Sequence, residues 1–114
     1  MSTTDNIEIV ASSGNVFADL GFPDAEERLA KAELARLIAT IVRDRRLSQA
    51  AAGKVLGIDQ PKVSALASGR LAGFSLERLT HFLRLLGQDV QIAVTDAPPS
   101  RPMGRLTVTA GGAR

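Results

Sequence analysis

Polar side chains that can hydrogen-bond to a base or a phosphate are grouped between residues 49 and 70. The Gln60 amide can make paired hydrogen bonds to adenine, and the Lys62 ammonium can reach guanine acceptors or a phosphate. Gln49 is suited to a phosphate contact at a helix N-terminus. For each residue the alternative is an ordinary exposed side chain. The candidate DNA contacts are Gln49, Lys54, Gln60, Pro61, Lys62, Ser64, Ala65, Ser68 and Arg70.

Two short helices joined by a tight turn are predicted over residues 47–69. Ser48 and Asp59 are suitable N-cap residues for them, and Gly57 can take a positive φ in the turn. Gly53 is small where the two helices approach each other. The apolar positions that must face a shared core are Ala52, Leu56, Ile58, Val63 and Leu66. This is the helix-turn-helix pattern, whose second helix enters the major groove of DNA; the alternative is a plain helical hairpin.

The outward face of the second helix is predicted to be short of long polar side chains, because Pro61 and Ala65 occupy two central positions. We therefore expect few direct contacts between this helix and the edges of the bases. Contacts with thymine methyl groups and recognition of DNA shape are expected to supply part of the specificity.

Two further helices flank this unit. The first is predicted from an Asp24 cap, with Glu27 completing a capping box, to about Arg46. Its apolar positions are Ala30, Leu34, Leu37, Ile38 and Ile41. The last helix is predicted between a Ser75 cap and Gly87. Its inner face consists of Leu76, Leu79, Phe82, Leu83 and Leu86.

The hydrophobic period changes to two after residue 89. Val90, Ile92 and Val94 alternate with less apolar residues, which predicts a half-buried strand over 90–94. Residues 106–110 repeat the alternation after a Pro-rich loop, so they form either a second strand or a frayed tail. The predicted fold is mainly α, a compact helical bundle with a central helix-turn-helix followed by one or two short C-terminal β-strands.

The length of 114 residues favours one small domain. We divide the chain into an acidic N-terminal arm at 1–22, a helix-turn-helix domain at 23–95 that contains the unit at 47–69 and the strand at 90–94, and a loop with a possible second strand or tail at 96–114. Residues 1–27 carry six acids and no Lys or Arg, whereas residues 28–114 carry all 14 basic residues against six acids. A basic body favours a polyanionic partner.

Composition excludes several classes of protein. The absence of cysteine rules out disulfides and thiolate sites. No apolar run is long enough to cross a membrane, and acids at positions 5 and 8 argue against a secretory signal, so we expect a cytoplasmic protein. His81 is the only histidine, and no phosphate-binding loop, G-x-S-x-G motif or metal-ligand spacing is present. We therefore expect neither enzymatic activity nor a cofactor or metal.

Several stretches resemble the Xre/Cro-type helix-turn-helix regulators, and most closely their HigA-type antitoxin branch, from about Ser13 to Val94. They are G-N-V-F-A-D-L-G-F at 14–22, L-S-Q-A-A-A at 47–52, V-L-G-I-D-Q-P-K-V-S-A-L at 55–66, G-R-L-A-G-F-S-L-E-R-L at 69–79 and L-G-Q-D-V-Q-I at 86–92. By this resemblance Gln49 contacts phosphate, and the recognition-helix positions are Gln60, Lys62, Ser64 and Ala65. The chain departs from the common pattern at residues 50–52 and at Ala65.

The resemblance implies a dimer that binds a palindromic operator in its own promoter, and a toxin partner similar to the small, basic HigB/RelE-like endoribonucleases. We expect the dimer contact at Val90, Ile92 and Val94. We expect the acidic arm to meet the toxin, with apolar anchors at Val16, Phe17, Leu20 and Phe22; alternatively these four cover the chain's own first helix. The alternative functions are a stand-alone phage-type regulator and an interaction module that no longer binds DNA.

Overall fold

Residues 23–111 are described by a computed structural model, and they contain four helices. These are α1 (Pro23–Asp44), α2 (Gln49–Leu56), α3 (Gln60–Ala67) and α4 (Leu76–Leu85). The predicted N-terminal arm, with Val16, Phe17, Leu20 and Phe22, lies outside the described residues. Within residues 23–111, none of the helices has both the length and the apolar character needed to cross a membrane.

The predicted caps of α2, α3 and α4 are confirmed. The side chains of Ser48, Asp59 and Ser75 each accept a hydrogen bond from the backbone N–H three residues later, at 3.0, 3.1 and 3.0 Å. Each bond satisfies one of the N–H groups that a helix N-terminus leaves unpaired. The three helix starts are therefore fixed by local sequence.

The predicted ends of α1 are wrong by one or two residues. The helix begins at Pro23, so Asp24 lies in its first turn and is not its N-cap. Proline suits the first helical position because its missing N–H would have no partner there. The helix ends at Asp44, before Arg46, which has a φ of 57°. The predicted pairing of Glu27 with Lys31 is present at 3.4 Å on the outer face.

The core lies between α1 and α4, and α2 and α3 close its other side. Its most deeply buried large side chains are Ile38, Leu79, Phe82 and Leu86, each at most 2% exposed. Phe74, in the α3–α4 connection, packs edge-on against Phe82 with ring centroids 6.0 Å apart. The predicted inner faces of the helices are confirmed, although Leu37, Ile41, Ile58 and Leu76 are only half-buried.

The predicted strand at 90–94 and the possible second strand at 106–110 are both absent from the described residues. Val90 and Val108 pack against the helical core, but Ile92 and Val94 are 87% and 92% exposed. The chain returns to α1 where the Leu106 N–H donates to Glu26 Oε1 at 3.0 Å. A strand requires a hydrogen-bonded neighbour, and residues 90–94 meet none within the described part of the single chain. The alternating pattern identified apolar side chains without identifying their partner.

Candidate nucleic-acid interface

The turn between α2 and α3 depends on two glycines with different roles. Gly57 ends α2 with a φ of 74°, and its N–H donates to the Gly53 carbonyl oxygen at 2.8 Å. The Ile58 N–H donates to the same oxygen at 3.0 Å. A Cβ added to Gly53 would lie 2.6 Å from the Ile58 carbonyl oxygen and 3.4 Å from Val63 Cγ2, so a larger residue would push the turn and α3 away from α2. These constraints fix the angle at which α3 leaves α2.

Helix α3 is held on the domain by Val63 and Leu66, each 5% exposed. These two residues were predicted to face inward, and the prediction is confirmed. Gln60, Pro61 and Lys62 form its first turn, and all three are exposed. The helix therefore presents an amide and an ammonium at its N-terminal end, where a recognition helix contacts base edges.

Two candidate contacts on α3 are less accessible than the sequence predicted. Ser64 is half-buried, and Ala65 is half-buried and packs against the core. The reason is that α3 contacts α1 as well as α2, which widens its buried face. Ser68 is exposed, but its hydroxyl donates to the Ser64 carbonyl oxygen at 2.8 Å. The prediction that Ala65 faces outward is therefore wrong, and Ser68 has a structural use as a helix-end cap.

The remaining candidates lie on α2 and just after α3. Gln49 is the first residue of α2, Lys54 lies in its last turn, and Arg70 follows the end of α3. All three side chains are exposed. Gln49 stands directly after the Ser48 cap, at the helix end whose free N–H groups and positive dipole attract anions. Exposed amide and cationic side chains of this kind are suited to contacts with phosphates.

The family of the chain follows from comparison with known proteins. Residues 16–95 match the sequence model of a helix-turn-helix domain family. A solved chain assigned to the XRE family of transcriptional regulators is 50% identical, with a TM-score of 0.73 over 78% of this chain and 100% of that chain. The protein belongs to the XRE family of helix-turn-helix transcriptional regulators. No curated protein matches its sequence.

The charge of this XRE family regulator supports a DNA-facing surface on α2 and α3. Residues 45–76 contain five basic residues and a single acid, Asp59. The Asp59 carboxylate accepts the Lys62 N–H, so its charge is used at the α3 N-terminus. The basic residues are Arg45, Arg46, Lys54, Lys62 and Arg70. Such an excess of positive charge favours a phosphate backbone as ligand.

Sequence reasoning missed the basic residues at the end of α1. Arg46 is exposed and lies two residues before the Ser48 cap, close in sequence to the α2 N-terminus. Arg45 instead holds the domain together, because its guanidinium donates to the Leu86 carbonyl oxygen at 2.6 Å. The run Arg43-Asp44-Arg45-Arg46 was the available signal. It did not show which of its arginines donates a hydrogen bond within the domain.

Two other cationic groups have partners away from this surface. The Arg78 guanidinium lies 5.5 Å from the ring centroids of both Phe74 and Phe82. Arg36 forms an ion pair with Glu33 on α1, and this hydrogen bond lowers the pKa of the Glu33 carboxyl. Among residues 23–111 no group of three His, Asp or Glu side chains is arranged to hold a metal ion.

Proposed function

We propose that this XRE family regulator is a sequence-specific repressor that reads an operator with the first turn of α3. The observation that carries the proposal is the exposed pair Gln60 and Lys62 on a helix whose start and inner face are both fixed. The Asp59 cap sets the first residue, and the buried Val63 and Leu66 set the rotation about the helix axis. Residues positioned in this way are suited to hydrogen bonds with base edges.

The test is a binding assay on the DNA upstream of the gene, with a scrambled duplex for comparison. We expect Lys62→Ala and Gln60→Ala to weaken operator binding. A lost base contact should cost about 1–3 kcal/mol at one operator position, whereas a lost phosphate contact should weaken binding to every sequence alike. Arg36→Ala is the control, because it removes the same charge on α1. Unchanged binding of both α3 variants would refute the proposal.

We also propose that the repressor is a symmetric dimer joined through Val90, Ile92 and Val94. Support comes from the high exposure of Ile92 and Val94, which is unusual for two apolar side chains close together. A two-helix unit covers one half-site, and dimers join half-sites about 34 Å apart. Ile92→Asp should produce monomers in sedimentation at micromolar concentration and weaken operator binding. A wild-type monomer under these conditions would contradict the dimer.

Finally, we propose that the repressor is the antitoxin of a small, basic HigB/RelE-like endoribonuclease and regulates its own operon. Support comes from the charge of residues 1–27, which carry six acids and no Lys or Arg. Opposite charge raises the rate and specificity of association. A small basic open reading frame adjacent in the genome, whose product copurifies with this chain, would be the expected result. A neighbour that does not bind would favour a stand-alone phage-type regulator.

A further inference from the structure

The segment after α4 is exposed over most of its length, although Val90 packs against the helical core. Residues 88–98 run without a turn or a bend, and residues 91–98 are all exposed. The backbone groups of residues 89–97 make no hydrogen bond to the backbone of another part of the described chain. We call residues 88–97 the arm. An unpaired straight segment of this kind is a template for pairing with another chain.

A shallow depression lies where the arm joins α4. Its volume is about 460 Å³, and its lining includes His81, Arg84, Leu85, Gln88, Asp89 and Val90. Leu85 is 44% exposed, which leaves an apolar floor open to solvent between polar walls. The depression therefore combines a place for an apolar side chain with a polar rim that carries the opposite charges of Arg84 and Asp89.

Symmetry and side-chain alternation restrict how two arms can pair. In an antiparallel pair, directly opposite residues lie on the same face, and each strand alternates its faces with a period of two. If a two-fold axis passes beside residue 92, Ile92 lies opposite its own copy and Val90 lies opposite the partner's Val94. Among antiparallel two-fold registers, only this one places all three apolar residues opposite one another. A shift by one residue would pair Val90 with an odd-numbered position.

This register also accounts for the depression. Val90 lines it, so the partner's Val94 would lie over Val90 and Leu85. Gln88 lines it as well, and the residue opposite Gln88 is the partner's Asp96, which would stand near Arg84. An apolar side chain would therefore meet the apolar floor, and a carboxylate would stand near the Arg84 guanidinium at the rim.

We infer that the arms of two copies pair antiparallel about Ile92, and that each depression is the docking site for Val94 and Asp96 of the other copy. The inference rests on the proposed dimer and specifies its register and its receptor surface. The match of apolar positions, together with the pairing of Asp96 with Arg84, selects a second copy of this chain as the occupant. The depression is thus incomplete without residues that the partner contributes.

Single cysteines test the register, since the chain contains no cysteine of its own. Directly opposite residues in an antiparallel pair have Cβ atoms about 4.5–5.5 Å apart, which is close to disulfide distance. Ile92→Cys should therefore form a disulfide-linked dimer under mild oxidation. Val94→Cys is the matched control, because its two copies would stand about 14 Å apart at about 3.4 Å per residue. A mixture of Gln88→Cys and Asp96→Cys should cross-link, although neither variant does so alone.

Sedimentation of the reduced proteins separates the possible failures. A dimer whose Val94→Cys form cross-links in place of Ile92→Cys would overturn the register while leaving the proposed dimer intact. A monomeric wild-type chain would overturn the dimer and the inference together. DNA binding is tested separately with the Lys62→Ala variant, because Lys62 lies on α3 and not in the arm.

Charge reversal tests the docking site. Arg84→Glu should raise the dissociation constant of the dimer about threefold or more, because an attractive exposed pair becomes repulsive. Adding Asp96→Arg to Arg84→Glu should return the dissociation constant of the dimer to its wild-type value. Arg36→Glu, on the outer face of α1, should leave that constant unchanged. If Arg84→Glu leaves dimerisation unchanged while Ile92→Cys still cross-links, the depression is not the receptor for the partner's arm.

Discussion

At the scale of single residues, three glycines allow two physical requirements of the helix-turn-helix to be tested separately. The requirements are space for close packing and a backbone with a positive φ. Gly53 needs space, since an added Cβ would approach the Ile58 carbonyl oxygen to 2.6 Å. Gly57 has open space but a φ of 74°, which L side chains adopt at a cost. Gly73 has open space and no positive φ. The same Gly→Ala change therefore tests a different factor at each position.

We expect Gly53→Ala to lower the free energy of unfolding by about 1–3 kcal/mol through overpacking. Gly57→Ala should lower it by about 1–2 kcal/mol through backbone strain. Gly73→Ala should lie within about 0.5 kcal/mol of wild type. Urea denaturation followed by circular dichroism measures all three. Equal effects at Gly53 and Gly73 would contradict the close approach of the two helices.

Arg45 provides a second test at this scale, because its guanidinium donates to the Leu86 carbonyl oxygen at the end of α4. Arg45→Met keeps most of the apolar stem and should lower the free energy of unfolding by about 1.5–3 kcal/mol, the range for a hydrogen bond from a charged donor. Arg43→Met is the control, since Arg43 is exposed and meets only the exposed Asp44, at 3.4 Å. Thermal unfolding should rank Arg45→Met clearly below Arg43→Met, and equal melting temperatures would count against the role of Arg45.

At the scale of elements, the start of α3 determines which side chains reach DNA. Asp59→Ala removes the cap and should lower the free energy of unfolding by about 0.5–2 kcal/mol. Asp59→Asn should have little effect on stability, because asparagine caps as well as aspartate. Denaturation of the two variants compares the contribution of the capping hydrogen bond with that of the carboxylate charge. If Asp59→Asn destabilises as much as Asp59→Ala, the carboxylate charge and not the cap fixes the helix start.

The sequence predicted elements well where a local signal determined them. Ser48, Asp59 and Ser75 begin their helices as expected because capping involves a residue and the turn that follows it. Prediction failed where contacts from distant parts of the chain determine the burial or the pairing of a residue. Ala65 is half-buried because α1 lies beside α3, which no local pattern reveals. Residues 90–94 have the alternation of a strand, but their partner is absent from the described single chain.

At the scale of the whole molecule, the charge is divided between its ends. Residues 1–27 are acidic, and the body that follows holds all 14 basic residues. DNA binding by the body should weaken with salt, because each phosphate neutralised releases counterions and contributes about −0.9 to the slope of log K against log salt. If Lys62 contacts a phosphate, Lys62→Ala should reduce the slope by about 1. Arg36→Ala should leave it unchanged, and a salt-independent affinity would rule out phosphate contacts as the main source of binding.

The acidic end gives the last prediction. We expect a chain that lacks residues 1–22 to retain DNA binding, because α1 begins at Pro23 and the described helix-turn-helix lies entirely beyond it. If the apolar residues at 16–22 anchor the toxin, the truncated chain should lose toxin neutralisation, measured as growth rescue and by pull-down. Its melting temperature distinguishes the alternative that these residues cover the chain's own first helix, since the truncation would then destabilise the domain. Full neutralisation by the truncated chain would place the toxin contact elsewhere, and the exposed face of α1 would be the next surface to mutate.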